Sequence, residues 1–341
     1  MTSYRKNDPS ITLFLTLGFL FLAVLGCSET ARSPEWPKSR KIAGKEQGLS
    51  HINGLVVDEK YAYLSIGGTI ADKNAGTNGL RRVSLSDGAV SMIDNGEKMP
   101  QSDRGGLASD ETHIYLNAGG SIVRVAKSGG PSEIVTSENV GVGIDLAVDD
   151  SRVYWINHGY YSAGTPTVPT PIYSAPKTGG KAETISEPQN VPHSIAVDER
   201  YVYWCTLNAI IKQPKTGGKA ETVFQAGDDE GIDELAADAD SIYFGFRGSG
   251  ESRWALRKVA KSGGQPVTLV KRFSLKPMVV DEANVYFFDE EGMSGDALCR
   301  VPKAGGDVVR IDTGYSSRVI AQRGSSLFFA SLDTIYSIPK N

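Results

Sequence analysis

Three observations predict an all-β fold, a seven-bladed β-propeller of four-stranded antiparallel blades. A nine-residue phrase returns along the chain. Each return opens a unit that divides into four short runs. The two chain ends supply complementary parts of one unit. The phrase reads LVVDEKYAY at 55–63, LASDETHIY at 107–115, LAVDDSRVY at 146–154, IAVDERYVY at 195–203, LAADADSIY at 235–243 and MVVDEANVY at 278–286. A divergent seventh copy, IAQRGSSLF, stands at 320–328. Every intact copy carries an aromatic five residues after its Asp. The Asp positions (58, 110, 149, 198, 238, 281) are 52, 39, 49, 40 and 43 residues apart, and Arg323 takes the seventh place. Periods of this length belong to repeat architectures.

The unit around 194–224 shows the division: SIAVD, YVYWC, AIIKQPK and AETVF are rich in Val, Ile, Tyr and Trp and separated by turn residues. Such runs read as strands. Many are apolar throughout, which fits sheets covered on both faces. Small residues recur at one position of the first run, Ala108, Ala147, Ala196, Ala236 and Ala321, with Val56 and Val279 in the other two units. A strand beside a central axis has to be slim there. The Asp that follows opens the first turn, where its carboxylate can accept nearby backbone N–H groups. Between runs three and four stands K-[S/T/A]-G-G, at 127–130, 177–180, 215–218, 261–264 and 303–306. A phosphate loop needs its glycines before the Lys and a helix after it; here the order is reversed. The glycines suit a hairpin tip, and the Lys is expected to be a solvated turn residue. The last unit stops at IYSIPKN, without a fourth run, and Arg40–Ala43 precedes the first unit unassigned. Residues 40–43 are therefore expected to complete the seventh blade and leave the ring without an open edge.

The phrases LAVDDSRVYW and IAVDERYVYW resemble the YWTD class of propeller repeat of the LDL-receptor family, over about residues 40–341. The final Asp of that motif is absent, since Trp155 precedes Ile156-Asn157 and Trp204 precedes Cys205-Thr206. The resemblance implies a blade pattern and no receptor role. The PK-x-GG form also resembles lipid-anchored bacterial propellers.

Ahead of the repeats, Arg5 and Lys6 precede an apolar run from Ile11 to Gly26, too short for a bilayer core and shaped as an export signal. VLGC at 24–27 resembles the bacterial lipobox. That resemblance implies removal of residues 1–26, lipid attachment at Cys27, and, with Ser28 following, a place on the outer membrane, on its periplasmic or surface side. Residues 27–39 then form the lipidated Cys and a flexible tether, and 40–341 the propeller. Cys205 and Cys299 fall in different blades and are expected to be free and buried.

The composition is that of a globular protein, 40% hydrophobic and 22% charged, and the net charge of −4 gives no reason to expect nucleic acid. In a propeller the loops between strands two and three, and between blades, share one face. Units 1, 3, 5 and 6 carry insertions there, which marks the face for binding. Polar residues before the first runs are expected to ring the mouth of the central channel: Asn53, Asp103, Arg104, Asp145, His193, Asp233, Glu234, Lys276 and Arg318. His51 belongs to the same face. Tyr160, Tyr161, Arg253 and Trp254 sit in the inserted loops and are of types that anchor interfaces. The expected function is a membrane-anchored scaffold that binds a protein or cell-envelope component. The alternative is a lyase or hydrolase using His158, His193 and Glu234 as acid–base groups, similar to propeller lyases that act on cyclic or sugar substrates. No cofactor is expected. The acidic runs at 228–234 and 289–291 lack EF-hand spacing, and Ca²⁺ is a minor possibility for them.

Overall fold

The computed structural model describes residues 38–67, 79–94, 106–141, 144–157, 168–249, 254–271, 277–290, 296–315 and 317–340. The residues from Trp36 onward form one compact unit. Seven four-stranded antiparallel sheets follow one another along it. Their first strands are Ile52–Val57, Leu107–Ser109, Ile144–Val148, Ser194–Val197, Gly231–Ala237, Met278–Val280 and Ser317–Arg323. Each lies against the first strand of the next blade, and that of blade 7 lies against that of blade 1. The closure is the one the sequence predicts. Arg40–Ala43 pairs with Thr334–Pro339, with Arg40 opposite Ser337, Lys41 opposite Tyr336 and Ala43 opposite Ile335.

The core is split among the junctions. Seven apolar clusters fill seven blade-to-blade interfaces. The second strand of blade 4, Tyr201–Cys205, shows why its run is apolar throughout. Val202 and Trp204 pack toward blade 3, while Tyr203 and Cys205 pack toward blade 5. Ala196 stands opposite Tyr203 in the inner strand. Cys205 and Cys299 are buried, and neither forms a disulfide among the described residues.

The turns behave as expected in their backbone. Each repeat Asp accepts N–H bonds from the turn it opens; Asp149 Oδ1 takes Ser151 and Arg152, both at 2.8 Å. Both glycines of every K-x-G-G turn have positive φ, for example +88° at Gly217 and +113° at Gly218.

The expectation for the turn Lys is wrong. Each Lys reaches back to the repeat Asp of the preceding blade: Lys177 to Asp110, Lys215 to Asp149 and Lys261 to Asp198, all at 2.6 Å. Lys340 meets Asp281 at 3.2 Å, Lys127 meets Asp58 at 3.6 Å, and Lys303 pairs with Asp238. These ammonium-bearing side chains are only 10–23% exposed. The aromatic five residues after the Asp completes the clasp. Tyr154 and Tyr115 donate their hydroxyls to their own Asp at 2.8 Å, and Tyr63, Tyr203, Tyr243 and Tyr286 do the same. The tyrosine rings are buried. Burial alone would raise these carboxyls, but the ammonium, hydroxyl and N–H partners outweigh it and hold all six below the usual Asp value.

The ring has one junction without the clasp, where blade 7 meets blade 1. Arg323 stands in the Asp position, Phe328 in the Tyr position and Leu85 in the Lys position. All three members are replaced together, so none is left unpaired. An exposed Arg323–Glu59 pair at 2.7 Å and a bond from the Arg40 guanidinium to the Leu85 carbonyl at 3.1 Å span the seam instead. Gly88 sits under it with φ +74°, and a Cβ there would lie 2.2 Å from the Ile42 carbonyl oxygen.

Candidate functional site at the channel mouth

The face opposite the K-x-G-G turns holds the residues singled out from the sequence. His51 is exposed with φ +43°, and Asn53 donates to the Gly67 carbonyl at 3.2 Å. Trp254 is partly exposed and starts the third strand of blade 5, paired with Arg247. Arg318 lies in the first strand of blade 7. Asp103, Arg104, His158, Tyr160, Tyr161, Arg253, Lys276 and Cys27 lie outside the described residues.

Asp145, His193, Asp233 and Glu234 come together, on blades 3, 4 and 5. The inner-strand position four before the repeat Asp holds Asp145, Ser194 and Glu234 in these blades. In the first two it ties blade to blade. Asp145 Oδ2 accepts the Ile195 N–H at 3.1 Å, and Ser194 Oγ accepts the Leu235 N–H at 3.1 Å. Asp145 Oδ1 accepts its neighbour Leu146 at 3.0 Å, and the nearby Ser194 hydroxyl favours its charged form. Sequence reasoning missed Ser194. Its signal, a hydroxyl at the slot of two carboxylates, is visible only after the blades are aligned.

In blade 5 the slot works differently. Glu234 is the extra residue of a β-bulge between Asp233 and Leu235, with φ +48°. A non-glycine residue in the left-handed region is strained and persists only where the surroundings hold it. Its carboxyl makes no hydrogen bond or ion pair among the described residues, whereas Asp233 Oδ1 accepts the Glu234 N–H at 3.1 Å. Burial, then the neighbouring Asp145 and Asp233, push the Glu234 carboxyl up to about 7. Burial pushes Asp145 up to about 6 against the pull of its N–H and hydroxyl donors. Both residues keep partial exposure while protein crowds their carboxyl groups. Beneath them the buried Cys205 thiol is pushed up by burial and by the same three carboxyls.

His193 is committed to the scaffold. Nε2 lies 2.7 Å from the Ile232 carbonyl oxygen of blade 5, and Nδ1 lies 3.0 Å from the Val191 carbonyl oxygen. Asp233 Oδ1 is 3.7 Å from Nε2. Val191 itself has φ +49°, rare for a β-branched residue. Among the described residues no three His, Cys, Asp or Glu side chains form a group able to hold a metal ion.

No family model matches the chain, and no curated protein matches it in sequence. Many solved structures match in fold. A puromycin-hydrolysing peptidase of Mycobacterium tuberculosis aligns over 90% of this chain and 54% of its own, at 12% identity and TM-score 0.64. The chain thus spans about half of that enzyme. An oligogalacturonate lyase of Vibrio parahaemolyticus aligns over 85% of this chain and 89% of its own, at 9% identity and TM-score 0.63. The computationally designed Ika8 protein covers 88% of this chain and 99% of its own, at 10% identity and TM-score 0.59. At such identities the likeness is one of fold alone, and what these similarities establish is that the chain is a β-propeller.

Proposed function

We propose that the chain is a lipid-anchored recognition propeller of the bacterial envelope. Cys27 carries the lipid, residues 28–39 tether the ring, and the loop-rich face around the channel mouth binds a protein or envelope component without chemistry. The observation that supports binding over catalysis is the state of His193. Each ring nitrogen faces a backbone carbonyl, at 2.7 and 3.0 Å, so the imidazole braces blades 4 and 5 and presents neither nitrogen to a substrate. Asp145 is likewise spent on N–H groups. The test is capture from detergent-solubilised membranes by the intact chain and by variants of Tyr160, Tyr161 and Trp254. The expected result is loss of capture with melting temperature kept; capture by the triple variant overturns the surface. Cys27→Ser should release the protein from the membrane fraction.

A second reading, a lyase or hydrolase, is favoured by one observation: the Glu234 carboxyl is unbonded and titrates near neutrality, as an acid–base group must. It expects turnover of an acidic oligosaccharide such as oligogalacturonate, lost in Glu234→Gln. Absence of turnover by the unaltered protein removes it for that substrate.

A further inference from the structure

We propose that the channel mouth between blades 3 and 5 is a binding site for a primary ammonium group, with Glu234 as its anchoring carboxylate. The inference deepens the recognition reading and rests on it. Three carboxyl side chains stand on this short arc. No described Lys or Arg pairs with Glu234 or Asp145; His193 pulls on Asp145 and lies 3.7 Å from Asp233 Oδ1, and it makes no pair with Glu234. Two of the three have structural work. Asp145 holds Leu146 and Ile195, and Asp233 caps the Glu234 N–H. Glu234 has none. The slot that clasps the next blade in blades 3 and 4 makes no such bond in blade 5. The carboxyl is crowded by protein and has no donor of its own among the described residues, while the residue keeps partial exposure to solvent.

The chemistry of the arc selects the ligand. A hard divalent ion wants six or more oxygen ligands, and here three of the six carboxyl oxygens already accept N–H groups. An ammonium has three N–H donors. It can take the open Glu234 oxygens in charge-assisted bonds and share a remaining lone pair of Asp145 or Asp233. An anion would meet three carboxyls at once. The ammonium can belong to a small diamine or to a lysine side chain of a protein partner; both present the same head.

The intact chain is titrated calorimetrically with 1,4-diaminobutane, with N-acetyl-lysine methylamide, with 1,4-butanediol and with calcium chloride. Either amine should bind, and the diol should not. Binding by the diamine alone identifies a small-molecule site; binding by both identifies a lysine-accepting one. Affinity should rise roughly tenfold from pH 6 to pH 8, as the competent carboxylate fraction grows. Glu234→Gln should weaken binding by about tenfold or more and flatten that pH dependence. Glu234→Gly, which accepts the left-handed backbone at no strain, provides a second variant that removes the carboxyl. No binding of either amine, equal binding by both variants, or Glu234-dependent binding of calcium in place of the amines overturns the proposal. Membrane capture separates the two readings. If capture persists in Glu234→Gln while the amines fail to bind the unaltered chain, only the ammonium site falls. If the Trp254 variant still captures while amines bind, only the loop surface falls.

Discussion

The junction of blades 3 and 4 offers a quantitative test of the inter-blade clasp. Asp149 receives five donors: Ser151 and Arg152 N–H and the Ser151 hydroxyl on Oδ1, and the Tyr154 hydroxyl and Lys215 ammonium on Oδ2, at 2.6–3.2 Å. The Lys215 and Asp149 side chains are 13% and 17% exposed. Asp149→Ala strands an ammonium and a phenol in this setting and frees two turn N–H groups, and should cost about 3–5 kcal/mol. Lys215→Met keeps an aliphatic stem, removes the ammonium that lies 5.5 Å from the Tyr154 ring centroid, and leaves the carboxylate four donors. It should cost about 1–2 kcal/mol. The double variant should cost less than the sum by about 1 kcal/mol or more, because the second change removes a group already stranded. Equilibrium urea unfolding at pH 7, with matched m-values, measures all three. If Lys215→Met costs under about 0.3 kcal/mol, the Lys is an ordinary surface charge, and the clasp contributes nothing beyond the turn.

Other outcomes follow from the same geometry. The six clasp aspartates sit below their ordinary 3.8 in the fold, Asp238 at about 2. The unfolded chain therefore binds more protons just below pH 4, and stability should fall steeply as pH drops through that window. Glu234 has the opposite sign: raised from 4.5 to about 7, it should lose the protein up to about 3 kcal/mol as pH rises across that interval, and Glu234→Gln should abolish that part of the loss. Thermal melts across pH should thus peak near pH 5 and decline on both sides; a monotonic rise toward neutrality would contradict the Glu234 assignment, and no loss below pH 4 would contradict that of the aspartates. Gly88→Ala should destabilise by about 2 kcal/mol or more, because both its φ and the Ile42 carbonyl oppose a Cβ; an unchanged melting temperature would show that the seam can relax.

Much of the fold was legible because a repeat states its own alignment. Once Asp58 and Asp281 are superposed, strand order and the missing fourth strand of blade 7 follow, and Arg40–Ala43 is left as the piece that fits. The Lys pairing was harder. Its partner lies one whole unit away, and a blade read alone shows a Lys on a glycine turn. A signal existed, since the copies lacking Asp (Arg323) and Lys (Leu85) are neighbours around the ring. At the channel mouth, position before the inner strand was enough to name Asp145, His193, Asp233 and Glu234. Their roles depend on hydrogen bonds across blades, and those decide that His193 is braced and Glu234 open. Residues in the inserted loops, Tyr160 and Arg253 among them, belong to no repeat position, so the period carries no information about them.

The direction of the clasp constrains how such a ring can change size. Each interior unit, from the second to the sixth, brings a lysine for its predecessor and an aspartate for its successor. Copying an interior unit in tandem therefore keeps every charge matched, whereas adding or losing one at either terminus leaves a lysine or an aspartate stranded beside the closing strand. Changes in blade number in this lineage should then have arisen within the chain, with the divergent first and last units carried along as fixed ends.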